Sequence, residues 1–169
     1  ALDRLWGGGL GEADLAALGL PLGADVPMCL AGRPVRVGGI GDEIADVPAL
    51  PSFGLLLVNP GRPLATPDVF RRLEHRDNPP LPGLPPAFPD LAALTAWLAP
   101  ARNDLTAPAV ALVPEIGAVL DRLAAEPGCR LARMSGSGAT SFGLFDDDAS
   151  AARAGARIGA EHPGWWVAA

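Results

Sequence analysis

Apolar positions follow two different rhythms along the chain. Phe53-Gly54-Leu55-Leu56-Leu57-Val58 is an almost unbroken apolar run of strand length, closed by Asn59-Pro60-Gly61. Such a run predicts a strand buried on both faces. Ile116, Val119, Leu120 and Leu123 instead recur at the steps of three and four that line one face of a helix. Pro114 predicts the start of that helix and Gly128 its stop. Leu91, Leu94, Trp97 and Leu98 predict another amphipathic helix, capped by Asp90. Thr66 reads as the N-cap of a short helix with Pro67 at its first position. Asn103-Asp104-Leu105 opens a further helix. Cys129 to Met134 and Ala139 to Phe145 read as strands joined by Ser135-Gly136-Ser137-Gly138. Asp148 or Ser150 caps an Ala-rich helix, and Trp165-Trp166-Val167 reads as a closing strand.

In order, residues 51–169 give strand, helices, strand, strand, helix, strand. This is a split βαβ order with an inserted group of helices. It predicts an α+β, ferredoxin-like sandwich, with an antiparallel sheet covered on one face by helices. The six prolines between Asn78 and Pro89 predict an irregular segment.

Residues 1–50 have another character. Ala1 to Trp6 reads as the last turns of an amphipathic helix ended by Gly7-Gly8-Gly9. Glu12 to Leu18 predicts a second helix. Arg33 to Val37 alternates as a strand, and another strand runs through Ile44. The segment has too little apolar surface to close a core. It reads as the tail of a larger domain, with the boundary at Val47-Pro48-Ala49-Leu50-Pro51. Leu2, Leu5, Leu15, Leu18 and Val35 are expected on an apolar face left open by that arrangement.

Composition removes some functions. Hydrophobic residues make up 49% of the 169, which marks a globular chain. The net charge is −6 and there is no basic run, which argues against a nucleic-acid partner. No apolar run approaches the roughly 20 residues of a membrane span. All 13 basic residues are arginine, so chemistry that needs a lysine ammonium must draw it from elsewhere. Cys29 and Cys129 lie in apolar stretches and read as buried free thiols of a cytosolic protein. His75 and His162 are isolated, and no metal site is expected.

Three stretches carry candidate chemistry. In Leu22-Gly23-Ala24-Asp25-Val26-Pro27 a carboxylate stands at a helix start. Asp25 reads either as a cap or as a catalytic base held ionised at the positive helix end. Met134-Ser135-Gly136-Ser137-Gly138-Ala139-Thr140-Ser141 offers backbone N–H groups and hydroxyls to an anion, or simply turns a hairpin. Phe70, in the first turn of its helix near a strand end, reads either as a ligand-facing ring or as core.

Taken with Gly41-Asp42, Val58-Asn59-Pro60-Gly61 and Asn103-Asp104, the order and spacing of these stretches resemble the GHMP kinase superfamily along the chain from Ala1 to Val167. The resemblance implies ATP-dependent phosphorylation, with Mg2+, of a hydroxyl on a cytidine-diphosphate-linked sugar alcohol, a step of the non-mevalonate route to isoprenoid precursors. It implies that Asp25 is the catalytic aspartate. Thr66, Pro67 and Phe70 would line the cytidine pocket, with Phe70 against the base. The loop Ser135, Gly136, Ser137, Gly138 and Thr140 would lie on the phosphate side. The superfamily's Gly-rich ATP loop and catalytic lysine have no counterpart in these residues. The expected partner is therefore an amino-terminal half, and the 169 residues alone are expected to be inactive. The alternative is a non-catalytic ferredoxin-like module that binds a small ligand.

Overall fold

The computed structural model describes residues 2–75 and 78–169, and for Leu2 and Arg4 the backbone alone. The chain divides into two compact units, residues 1–49 and 50–169.

The first unit holds α1 (Leu2–Trp6), α2 (Glu12–Gly19) and α3 (Val26–Ala31), then a hairpin of β1 (Val35–Gly38) and β2 (Glu43–Asp46). Ala1, where the first helix was expected to open, lies outside the described residues. A 3-10 turn at Leu20–Leu22, which the pattern did not announce, links α2 to the approach to α3. Among the expected open positions, Leu5 is 76% and Leu18 is 62% exposed, whereas Leu15 and Val35 are half-buried. The side chain of Leu2 lies outside the described residues. Leu22 and Ile40 are also largely exposed.

The second unit opens with β3 (Gly54–Asn59) and α4 (Thr66–Arg71), followed by α5 (Leu91–Leu98), α6 (Thr106–Leu112) and α7 (Glu115–Ala124). It ends with β4 (Cys129–Met134), β5 (Ser141–Phe145), α8 (Asp148–Glu161) and β6 (Trp166–Ala168). The four strands form one sheet in the order β4-β5-β3-β6, every pair antiparallel. Numbered from β3 as the first, this is the ferredoxin-like arrangement, with the first and third strands central.

Alternation along the strands decides which face is covered. Leu56, Val58 and Phe145 face α7 and α8, where they meet Val119, Leu123, Ala154 and Ile158. Gly143 makes room for this packing, since a methyl group there would approach the Phe145 ring at 3.0 Å and Leu123 at 3.2 Å. Gly54 permits a closer approach still: a Cβ at that position would collide with the backbone carbonyl of Asp147, at the start of α8. A second cluster of Val69, Ala109, Val113, Ile116, Met134 and Ala139 joins α4, α6 and α7 to the strand ends. The helices do not all lie on one face. Arg133 points away from Ala132 and Met134 and donates to the carbonyl of Leu98 at 3.0 Å, which brings the end of α5 over the other side of β4. Burial lowers the pKa of the Arg133 guanidinium.

α7 and α8 are also tied by charge. The buried Glu126 carboxylate pairs with Arg122 at 2.6 Å and with Arg157, and Arg122 also pairs with Glu161 at 2.7 Å. Hydrogen bonding to Arg122 holds the Glu161 carboxyl below its usual range.

Three local expectations are corrected. α8 is capped by Asp147, whose carboxylate accepts from Ser150 N at 2.6 Å, and not by Asp148 or Ser150. Asp147 has the extended backbone of a cap, whereas Asp148 is already the first helical residue. Thr66 does not cap α4: Ala65 holds that position and Thr66 is the first helical residue. Cys29 is exposed, not buried, because the six-residue α3 buries only Pro27. Cys129 is half-buried, and burial pushes its thiol pKa up. Among the described residues no helix is long and apolar enough to cross a membrane.

Candidate functional site

In the second unit the chain path brings two of the singled-out segments into contact. β4 and β5 pair from Cys129↔Phe145 to Met134↔Ser141, and residues 135–140 connect them. Ser135 N donates to Thr140 O at 2.9 Å, and Gly138 N donates to Ser135 O at 2.9 Å. Residues 135–138 thus form a turn whose first central residue, Gly136, has φ of +52°. A positive φ there with a negative one at Ser137 is the pattern of a type II′ turn, which favours glycine first. Gly138, at φ +88°, has no space for a side chain, since a methyl would meet Met134 Sδ at 2.9 Å and Leu64 at 3.1 Å.

Helix α4 starts beside this loop. The hydroxyls of Thr66 and Ser137 lie 2.7 Å apart, so Thr66 spends its hydroxyl on the loop and not on its own helix. Asn59, at the end of β3, donates from Nδ2 to Thr140 Oγ1 at 2.9 Å, while its Oδ1 accepts from Gly61 N at 2.8 Å. Asn103 is the third support. Its Nδ2 donates to Met134 O at 3.0 Å and to Gly136 O at 2.7 Å, and its Oδ1 accepts from Leu105 N at 3.0 Å. Pro67 is exposed in the first turn of α4. Phe70, one turn further, is 48% exposed, and the core position is filled by its neighbour Val69. A ring left open on the first helix after a strand end is available to stack on a ligand.

Asn59 and Asn103 were visible in the sequence as a turn residue and a helix-start residue, and as parts of the stretches that carry the resemblance, but without a role at the site. Their partners lie 81 and 31–33 residues away, beyond the reach of local pattern. Beyond α4, an open cavity of about 660 Å3 is lined by Arg71, Arg72, His75, Asn78, Asp104 and Ala107, among others. It contains none of the singled-out site residues.

In the first unit Asp25 immediately precedes α3, with Pro27 in the first turn. Its backbone is already helical, at φ −84° and ψ −10°, and its carboxylate makes no capping hydrogen bond. The exposed carboxylate is therefore uncommitted to the helix it precedes, while its carbonyl accepts from Cys29 N at 3.1 Å. Gly41, at φ +112°, packs on the preceding residue: a methyl there would come within 3.0 Å of Ala24 Cβ and closer to its carbonyl. Gly41 thus braces the backbone that presents Asp25. Among the described residues no group of three His, Cys, Asp or Glu side chains is placed to hold a metal.

Residues 86–164 match the family described as GHMP kinases C terminal. The chain is 55% identical over 169 residues to the 4-diphosphocytidyl-2-C-methyl-D-erythritol kinase of Cereibacter sphaeroides, covering 99% of this chain and 60% of that protein. It is 58% identical over 148 residues to the protein of the same name from Paracoccus denitrificans, covering 88% of this chain and 54% of that one. The chain therefore spans little more than half the length of these relatives. A crystal structure of 4-(cytidine 5'-diphospho)-2C-methyl-D-erythritol kinase superposes with a TM-score of 0.70 at 32% identity, over 98% of this chain and 59% of that one. Homoserine kinase from Cytophaga hutchinsonii shares the fold, with a TM-score of 0.63 at 14% identity, over 100% of this chain and 61% of that one.

Proposed function

We propose that the chain is a GHMP kinase, whose carboxy-terminal family model matches residues 86–164, and that it serves as the carboxy-terminal portion of a small-molecule kinase. The reaction is transfer of the γ-phosphoryl group of ATP to a hydroxyl of 4-diphosphocytidyl-2-C-methyl-D-erythritol, in the non-mevalonate route to isoprenoid precursors. In this reading residues 1–49 are the tail of the ATP-binding domain and residues 50–169 are the carboxy-terminal domain. The observation that supports it best is the meeting of Thr66 with Ser137, in a chain 55% identical to a relative of that name. It joins the segment assigned to the pyrimidine with the loop assigned to phosphate.

Each residue then has a task. Asp25 orients the attacking hydroxyl and accepts its proton. Thr66, Pro67 and Phe70 receive the cytidine, Phe70 by stacking. The loop from Ser135 to Thr140 presents N–H groups and hydroxyls to phosphate oxygens. ATP would bring Mg2+ with it, and the ion would supply neutralisation of phosphate charge. The chain has no lysine, so a lysine at the phosphates and the main ATP loop would come from the portion of the relatives that the match does not cover.

The test is turnover. Joined to the unmatched portion of the Cereibacter sphaeroides relative, the chain should phosphorylate the cytidine-linked alcohol from ATP, and the 169 residues alone should not. A folded fusion without turnover would overturn the reading. In the active fusion, Phe70→Ala should raise KM for the alcohol by about 5- to 150-fold, the equivalent of a base-stacking contact, with a smaller change in kcat. An unchanged KM would remove Phe70 from the pyrimidine site.

A further inference from the structure

We propose that Asn103 is a positioning residue that aims the backbone N–H of Ser137 at a phosphate oxygen. The proposal rests on the phosphate-side assignment of the loop, and it concerns a residue that touches no reacting atom.

Asn103 is half-buried and uses its amide completely enough to fix its orientation. Oδ1 accepts from Leu105 N at 3.0 Å, so Nδ2 must be the end that faces the carbonyls of Met134 and Gly136, at 3.0 and 2.7 Å. The peptide between Gly136 and Ser137 is trans. In a planar trans peptide the N–H points opposite to the C=O. With the Gly136 carbonyl held on Asn103, the Ser137 N–H is turned to the far side of the turn. The opposite orientation of that peptide would convert the II′ turn to the I′ form and put Ser137 at positive φ, which disfavours a residue with a side chain. Two independent constraints, the Asn103 donors and the Ser137 backbone, therefore select the same N–H direction. Ser137 also shares its hydroxyl with Thr66 at 2.7 Å, so the same residue that presents the N–H adjoins the pyrimidine-side helix.

The discriminating variant is Asn103→Asp. The shape is kept, and a carboxylate oxygen still accepts from Leu105 N. The two donations are lost, and a negative charge faces the Met134 and Gly136 carbonyls. A purely structural asparagine would show itself in stability; a positioning one shows itself at Ser137. The 15N-labelled fusion with the unmatched portion of the relative is titrated with inorganic triphosphate while its amide signals are followed by NMR. In the parent, the Ser137 amide should be among the most strongly shifted. In Asn103→Asp the triphosphate affinity should fall at least tenfold while the chain stays folded and the Leu105 amide signal changes little. Should the aspartate variant unfold, Asn103→Ala removes donors and acceptor together and should lose the same affinity. A parent whose Ser137 amide does not respond, or a folded variant that binds triphosphate within twofold of the parent, would overturn the proposal. Absence of turnover in the fusion would strike the kinase reading instead, and it is measured separately.

Discussion

Asp25→Asn in the fusion kinase is expected to lower kcat by roughly 10²–10⁴, the range for a lost general base, while leaving thermal unfolding nearly where it was. The structure separates these two effects. The carboxylate precedes α3 but makes no hydrogen bond to it, so the helix loses no capping bond when the charge goes. Asparagine in any case caps about as well as aspartate. The backbone that carries the side chain is fixed independently, by Gly41 against Ala24. What asparagine does lose is the capacity to take a proton from an alcohol as it attacks phosphorus, while its shape and polarity remain. The loss should therefore appear in kcat and in kcat/KM together. An Asp25→Asn enzyme with kcat within twofold of the parent would exclude Asp25 as the base.

Phe145→Ala is expected to cost about 3–5 kcal/mol in the stability of the second unit, the range for emptying a buried aromatic site. Phe145 is fully buried on the central strand β5, where it packs with Leu56, Val58, Leu123 and Ile158 beneath α7 and α8. The surrounding cluster has little freedom to collapse into the space, because Gly54 already brings β3 against the backbone at the start of α8. Domains of this size hold ~5–15 kcal/mol in total, so about a fifth or more of the stability rests on one ring. Urea unfolding followed by tryptophan fluorescence should show a lower midpoint with an unchanged denaturant slope. Leu55→Ala, on the opposite face of β3 where the side chain is 40% exposed, should cost markedly less. Equal losses for the two variants would show that the helix-covered face is not the principal core.

The four strands of the second unit were legible because burial and periodicity agree in them. The apolar run ending at Val58 lies in a central strand, and Ile116, Val119 and Leu123 all reach full burial on one face of α7. Legibility ended where a side chain had a choice of partners. Thr66 carries the signature of an N-cap, yet its hydroxyl is taken by Ser137, 71 residues away. Asp147, Asp148 and Ser150 compete for one cap, and backbone geometry decides among them. Asn103 was readable at its own helix start, which its Oδ1 indeed serves, while the two bonds from its other end depend on the return of the chain at β4. Cys29 was misread because apolar neighbours suggest burial, whereas a six-residue helix has too few turns to bury more than one residue here.

That exposed thiol gives the first unit a chemical handle. Cys29 stands one helical turn beyond Asp25, its N–H donating to the Asp25 carbonyl at 3.1 Å. The only other thiol, Cys129, is half-buried, and burial disfavours its thiolate. Alkylating reagents should therefore distinguish the two by rate. A small fluorophore attached at Cys29 would sit beside the candidate base without altering it, and its emission could report arrival of the alcohol or nucleotide before any phosphoryl group moves.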